Sequence, residues 1–293
     1  MRTGITSSEP RKAGSVTEFL EHVRRIREVW FPREEIWEPW FRGHQDARWQ
    51  LRPMLYRGEM PSKKERRVRE DEIREEFIKR APILCDALPT GDGMRAEWEW
   101  YFMMQHHHVA TRLLDWTDGA LIALYFAVKE NRGINDAAVW ALDPYELNNR
   151  ASKKKWAKDG WVIPPSATGL DPKIQKDLGR WLPRRFTKHA DLPPGAIAIE
   201  PTHVVRRMSS QHSCFTIHGS DPAALDKLEV GKNPCLCKIV ISKLAVQDIE
   251  RDLRRCGIDE STIFPDLDGL GRSINARWGM RDDCSLNRDE ETK

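Results

Sequence analysis

Apolar positions change their period several times along this chain, and each change marks an element. Ser15 and Glu18 make a capping-box pair, and Phe19, Leu20, Val23 and Ile26 follow at helical spacing, which predicts a first helix at about 16–29. Trp37 to Gly43 is aromatic and extended in character and predicts a strand ending at Gly43. Lys63 to Arg80 is charged, with Val68, Ile73, Phe77 and Ile78 as its few apolar positions; it predicts a surface helix that Pro82 stops. Glu97 to His106 predicts a second, more buried helix. The stretch from Ala120 to Val128 is apolar nearly all round, so this helix, capped by Asp118 and closed by Asn131 and Gly133, is predicted to lie centrally and to pack on more than one side.

Short strands bounded by Pro, Gly or Asp are predicted at Ala137–Leu142, Ala196–Ile199, Ser213–Ile217 and Cys235–Ile241. Residues 147–190 break the rhythm with Pro164, Pro165, Pro172 and Pro183, and predict a partly helical insertion between two strands. Gln247 to Arg255 predicts a late helix that Gly257 closes, and Phe264–Leu267 starts the last one. Met1 to Gly14 is polar, without the apolar segment of a secretory leader, and is expected to be a disordered lead; residues 282–293 are expected to be a loose tail. Strands and helices neither alternate strictly nor segregate. The expected class is therefore α+β, one mixed domain over residues 15–281.

Composition narrows the picture. A chain of 293 residues with 40% hydrophobic content and twelve tryptophans can fill a sizeable core. No run reaches the 18 or so apolar residues of a membrane span. Six cysteines without a paired Cys-x-x-Cys pattern read as reduced thiols in a cytoplasmic protein. The net charge of +3 is mild but uneven. Lys153, Lys154, Lys155, Lys158, Lys173, Lys176, Arg180, Arg184 and Arg185 are opposed only by Asp159, Asp171 and Asp177 in the insertion, a local positive field of the kind that attracts phosphates. Trp156, Trp161 and Trp181 interleave with it, so nucleic-acid binding through residues 150–188 is one reading and a solvated basic loop the other.

The densest chemistry lies in Gln105–Trp116, where three histidines, an arginine and an aspartate precede the apolar helix. Unpaired burial of even a neutral polar group costs roughly 2–7 kcal/mol, so these residues either line a cleft or form a closed network beneath one. Adjacent histidines on a helix point about 100° apart and cannot share one metal there, and no metal is expected. One of His106 or His107 is expected to face the cleft as a hydrogen-bond donor or proton carrier, with His107 the candidate. Arg42 ends a strand before a glycine; it offers a planar fork to phosphate or carboxylate, or else it is a buried arginine paired to Asp115 or Asp46. Arg112 either bridges to Asp115 within a turn or meets a ligand, and Thr111 either orients a ligand or caps a helix. Gln211, at a late turn into a strand, positions an amide or a water, or braces its loop. Glu200 is the carboxylate nearest to it in sequence.

Phe41-Arg42-Gly43, Trp49–Pro53, Gln105–Thr117, Ala123–Ala127, Val139–Leu142, Arg207–Phe215 and Phe264–Gly269 resemble, in order, the motifs of the FRG domain family, over roughly residues 30–275. The chain departs from the family pattern at His108 and Ser213, where the family has glycine, and at Ala110, where it has proline. The succession of elements also looks like the NAD-binding split-sheet fold of ADP-ribosyltransferases, which implies a small split antiparallel sheet surrounded by helices. That likeness implies NAD as cofactor, Arg42 on its phosphates, Gly43 offering backbone to the nicotinamide amide, Tyr125 or a neighbouring aromatic stacking on the ring, and Thr111 and Arg112 beside them. Gln211 would stand where those transferases have a catalytic glutamate, with Glu200 or a histidine compensating. It further implies a role in bacterial or phage conflict. A domain that senses a small anionic ligand or nucleotide without turnover fits the same residues.

Overall fold

The described residues form seven strands: β1 (Arg11–Ala13), β2 (Trp40–His44), β3 (Leu113–Thr117), β4 (Ala137–Leu142), β5 (Ala196–Ile199), β6 (Ser213–His218) and β7 (Leu236–Ile241). The computed structural model describes residues 11–32, 37–58, 62–85, 87–91, 93–151, 162–183, 192–201, 212–228 and 234–280. All seven strands share one sheet in the order β1-β7-β4-β2-β3-β6-β5, antiparallel except for the β1–β7 edge pair. The protein is thus a mixed α+β fold. The expectation of a small split sheet is corrected in size and continuity, because the strands form one hydrogen-bonded sheet. A split persists only locally: β2 and β3 pair at a single rung, Phe41 with Thr117, whereas β2–β4 and β3–β6 pair along their full lengths.

The helices are α1 (Val16–Trp30), α2 (Lys63–Arg80), α3 (Met94–His106), α4 (Ala120–Val128), α5 (Pro144–Ala151), α6 (Pro172–Leu178), α7 (Val246–Arg255), α8 (Glu260–Ile263) and α9 (Leu267–Arg277). Among the described residues no helix is long and apolar enough to cross a membrane. The Ser15 hydroxyl accepts the Glu18 amide at the start of α1, and a complete capping box between Ser62 and Glu65 fixes the start of α2. Helix α4 spans the expected residues, but its cap differs. Gly119 is its N-cap, and the Thr117 hydroxyl, not Asp118, accepts the Gly119 amide at 3.0 Å.

The sheet carries its core on both faces. Phe41 and Val139 pack with α1, α4 and α7 on one half of one face, while Leu113, Ile197, Phe215 and Ile217 pack with α3 on the other half. Trp40, Leu114, Trp116, Trp140 and Cys214 form the core of the opposite face. The boundary between the first two clusters coincides with the place where β2 and β3 part. Helix α4 sits on that boundary, packed against β2, β4 and α7 and reaching β3.

Two expectations about the periphery change. Arg11–Ala13, expected to belong to a disordered lead, form β1 and pair in parallel with Ile239–Ile241. The described part of the 147–190 insertion is built into the core rather than projecting from it: Leu178, Trp181 and Leu182 are fully buried, with Ile163, Leu170 and Ile174 packed against them. Trp181 therefore has no free face for a base. Lys153–Lys155, Trp156, Lys158 and Trp161 lie outside the described residues, as do Arg184 and Arg185.

Candidate functional site

Where β2 and β3 part, a cleft of about 340 Å³ opens between α3 and α4. Phe41, Arg42 and Gly43 come from β2, Asp115 and Thr117 from β3, Phe126 from α4, Gln105 and His106 from α3, and Ser213 and Phe215 from β6. The splay supplies the space. If the Phe41–Thr117 register continued, Gly43 would face Asp115, but no rung forms there. The Asp115 carbonyl instead accepts a hydrogen bond from Arg42 Nη1 at 2.6 Å, so a side chain takes the place of a ladder bond.

Arg42 is the strongest ligand-binding feature. Its side chain is only 17% exposed. Nε donates to His44 Nε2 at 3.1 Å, and the nearest Asp115 carboxylate oxygen is 3.7 Å from Nη1. Asp46 is not its partner, because Arg48 holds that carboxylate. Among the described residues Nη2 has no acceptor. A buried cation with one long ion pair and an unengaged Nη2 on a cleft is poised for an anion. Burial pushes its pKa down to about 10, helped by repulsion from Arg57 and opposed by Asp115, so it stays cationic at neutral pH. His44 is forced the same way, to about 3, by burial and then by Arg42 and Arg57, and so remains a neutral acceptor.

A hydrogen-bonded relay positions the carboxylate across the cleft. Thr111 is fully buried; its hydroxyl accepts the Leu113 amide at 3.0 Å and donates to Gln105 Oε1. Gln105 Nε2 then donates to both oxygens of Asp115, at 3.0 and 2.9 Å. The Asp115 side chain is 56% exposed and lines the cleft with Arg42. Thr111, expected to meet a ligand or cap a helix, does neither and acts through Gln105. Asp115, expected only as a partner of Arg42 or Arg112, is itself a cleft group. Its signal was available: it is the single charged residue in the β3 stretch Leu-Leu-Asp-Trp-Thr.

Arg112 is a scaffold residue, not a ligand contact. It is buried and donates to both oxygens of Glu70, to the His218 carbonyl and to the Trp181 carbonyl. Tyr101 completes the network, accepting the Arg112 amide and donating to Glu70. His107 does not line the cleft. It is the exposed C-cap of α3, with its ring against Phe77 and His106. His106 and His108 face the cleft in its place. His108 adopts φ +58°, a left-handed conformation that explains why the family pattern has glycine there.

Tyr125 lies on the far side of α4, buried, and its hydroxyl donates to Glu260. The neighbouring Phe126 lines the cleft instead, and Trp49, 52% exposed, is the second accessible aromatic there. Gly43 does line the cleft, yet its lack of a side chain is required by packing: a Cβ there would lie 2.1 Å from the Ala123 carbonyl oxygen and 2.5 Å from the Ala127 nitrogen. Glu200 is exposed and outside the cleft. Ile199 pairs with Phe215, so alternation sends Glu200 to the opposite face; burial, and after it the charge of Glu200, raise the Tyr145 hydroxyl to about 12. Gln211 lies outside the described residues; Ser213, two positions on, reaches the cleft. Among the described residues no three His, Cys, Asp or Glu side chains are grouped to hold a metal ion.

Comparison with known proteins adds one finding. No curated protein and no solved structure matches the chain. A family model described as FRG domain matches residues 38–136, the segment that contributes Arg42, Gly43, Gln105, Asp115 and Phe126 to the cleft. The likeness to FRG domains is therefore shown for residues 38–136, about a third of the chain.

Proposed function

We propose that the cleft binds NAD and supports cleavage of its nicotinamide–ribose bond, with ADP-ribose passing to an acceptor or to water. The observation that carries this reading is Arg42: a buried guanidinium with an unengaged Nη2, in the gap of a sheet, facing a carboxylate on the opposing strand. The guanidinium suits the pyrophosphate, which it can engage in bidentate fashion. Phe126 offers an apolar face for an aromatic ring. Asp115 supplies the carboxylate that the likeness to ADP-ribosyltransferases asks for, in place of Gln211 or Glu200. Breaking the C–N bond releases neutral nicotinamide and leaves positive charge on the ribose, which an adjacent carboxylate stabilises. Positioning by Gln105 and Thr111 means that this stabilisation needs no reorganisation.

The test is titration of the purified protein with NAD alongside an assay of nicotinamide release. Arg42→Ala is expected to abolish binding, and Asp115→Asn to preserve binding while lowering turnover at least tenfold. Absence of NAD binding at millimolar ligand overturns the reading. Binding without nicotinamide release, in the presence of candidate acceptors, replaces it with a sensor of a small anionic ligand.

A further inference from the structure

The segment that leaves the cleft along β2 carries more cationic charge than the cleft itself uses. From Trp40 to Gly58 there are four arginines, Arg42, Arg48, Arg52 and Arg57, against one carboxylate, Asp46. Arg48 neutralises Asp46 at 2.6 Å. Arg52 and Arg57 have no carboxylate partner among the described residues. Arg57 is held in place, its Nε donating to the Arg52 carbonyl at 3.1 Å. It lies close enough to the cleft to press on both Arg42 and His44. Beyond it Arg66 of α2 sits over the Tyr56 ring at 5.4 Å, continuing the positive track. At the cleft end of this track stands Trp49, half exposed although tryptophan is among the most apolar residues, with its indole braced edge-on by the His44 ring at 6.0 Å.

An exposed, braced indole followed by arginines without carboxylates is the arrangement that stacks a base and tracks a phosphate backbone. We propose that Trp49, Arg52 and Arg57 form a subsite for single-stranded nucleic acid at the mouth of the cleft, with a base on Trp49 and the following phosphates on Arg57 and Arg52. The strand enters beside Arg42 and Asp115, so it is placed as the acceptor for the reaction proposed above, and that acceptor role rests on that reading. The binding itself does not. The location also differs from the basic insertion: Trp181 is buried, whereas Trp49 is accessible.

The experiment uses the full chain and a fluorescein-labelled single-stranded oligonucleotide of about twelve nucleotides, in DNA and RNA forms, with anisotropy read between 50 and 300 mM salt. Trp49→Ala is expected to weaken binding by about five- to a hundredfold. Arg57→Ala is expected to lower the salt slope by about 0.7. Trp278→Ala, at an exposed tryptophan after α9, is expected to change nothing. Melting curves of each variant establish that it is folded. Absence of binding at 50 mM salt overturns the subsite, as does binding that Trp49→Ala and Arg57→Ala both leave intact. NAD is titrated on the same variants. If Trp49→Ala weakens NAD and no oligonucleotide binds, Trp49 serves the dinucleotide and the subsite fails while the NAD reading stands. If oligonucleotide binds through Trp49 and NAD does not bind at all, the NAD reading and the acceptor role fail while the subsite stands.

Discussion

Replacing Arg112 by methionine tests the division of labour between the two arginines. The guanidinium, 2% exposed, donates to Glu70 at 2.8 and 3.0 Å and to the His218 carbonyl at 2.7 Å, and it also donates to the Trp181 carbonyl. It thereby ties α2, the start of β3, the end of β6 and the segment after α6. Methionine fills part of the volume but donates nothing, so a buried carboxylate and two carbonyls lose their partner. Removing one member of a buried ion pair costs about 3–5 kcal/mol, a large part of the roughly 5–15 kcal/mol that holds a domain folded. At about 2–4 °C per kcal/mol for a domain of this size class, the thermal midpoint is expected to fall by about 6–20 °C. A cycle with Glu70→Gln sharpens the reading: the double variant is expected to be less destabilised than the sum of the singles, because the glutamine leaves no buried charge behind. The assay is thermal and urea unfolding, followed by NAD titration below the midpoint, where affinity is expected to be unchanged. A midpoint shift below about 2 °C, or a folded variant that no longer binds NAD, refutes the scaffold role.

Three further outcomes follow from single observations. Gly43→Ala places a methyl against the backbone of α4 and is expected to cost about 1–3 kcal/mol in urea unfolding; wild-type stability would show that α4 does not lie on β2 as described. His108→Gly removes the left-handed strain, worth about 1–2 kcal/mol, but adds about 0.5–1 kcal/mol of unfolded-chain entropy, so a net gain of up to about 1.5 kcal/mol is expected; a lower urea midpoint contradicts it. His44 and His218 are each held near 3, against an ordinary value of 6.5, chiefly by burial. Between these values the unfolded chain binds more protons, so the stability from keeping both rings neutral is complete above about 6.5 and is lost as pH falls toward 3. Urea midpoints from pH 7 to 4.5 are expected to fall accordingly, and His44→Gln, which keeps an acceptor for Arg42, is expected to flatten the slope.

What could be read from the sequence was mostly local. The bounds of α2 follow from Ser62, Glu65 and Pro82, and β4 and β5 lie where apolar runs between turn residues put them. The all-apolar α4 announced its central position. The site was half legible. Arg42, Gly43 and the Gln105–Asp115 stretch meet at one cleft, but the sequence does not separate a cleft arginine from a core one. Arg112 is decided by Glu70, forty-two residues earlier on a helix with few apolar positions. Thr111 and Asp115 are decided by which oxygen or nitrogen of Gln105 each one meets across the turn. Tyr125 and Phe126 are adjacent on a helix apolar all round, so no pattern says which of them faces the cleft. β1 has no strand signal in Arg-Lys-Ala; it exists because the edge of β7 offers it a partner.

The most direct measurement of the central claim is a crystal structure of the protein soaked with NAD. Ligand density is expected in the gap between β2 and β3, with a phosphate oxygen about 3 Å from Arg42 Nη2 and the ribose beside Asp115. Density absent from that gap at saturating ligand, or a dinucleotide bound elsewhere with the Arg42 fork unoccupied, would contradict it.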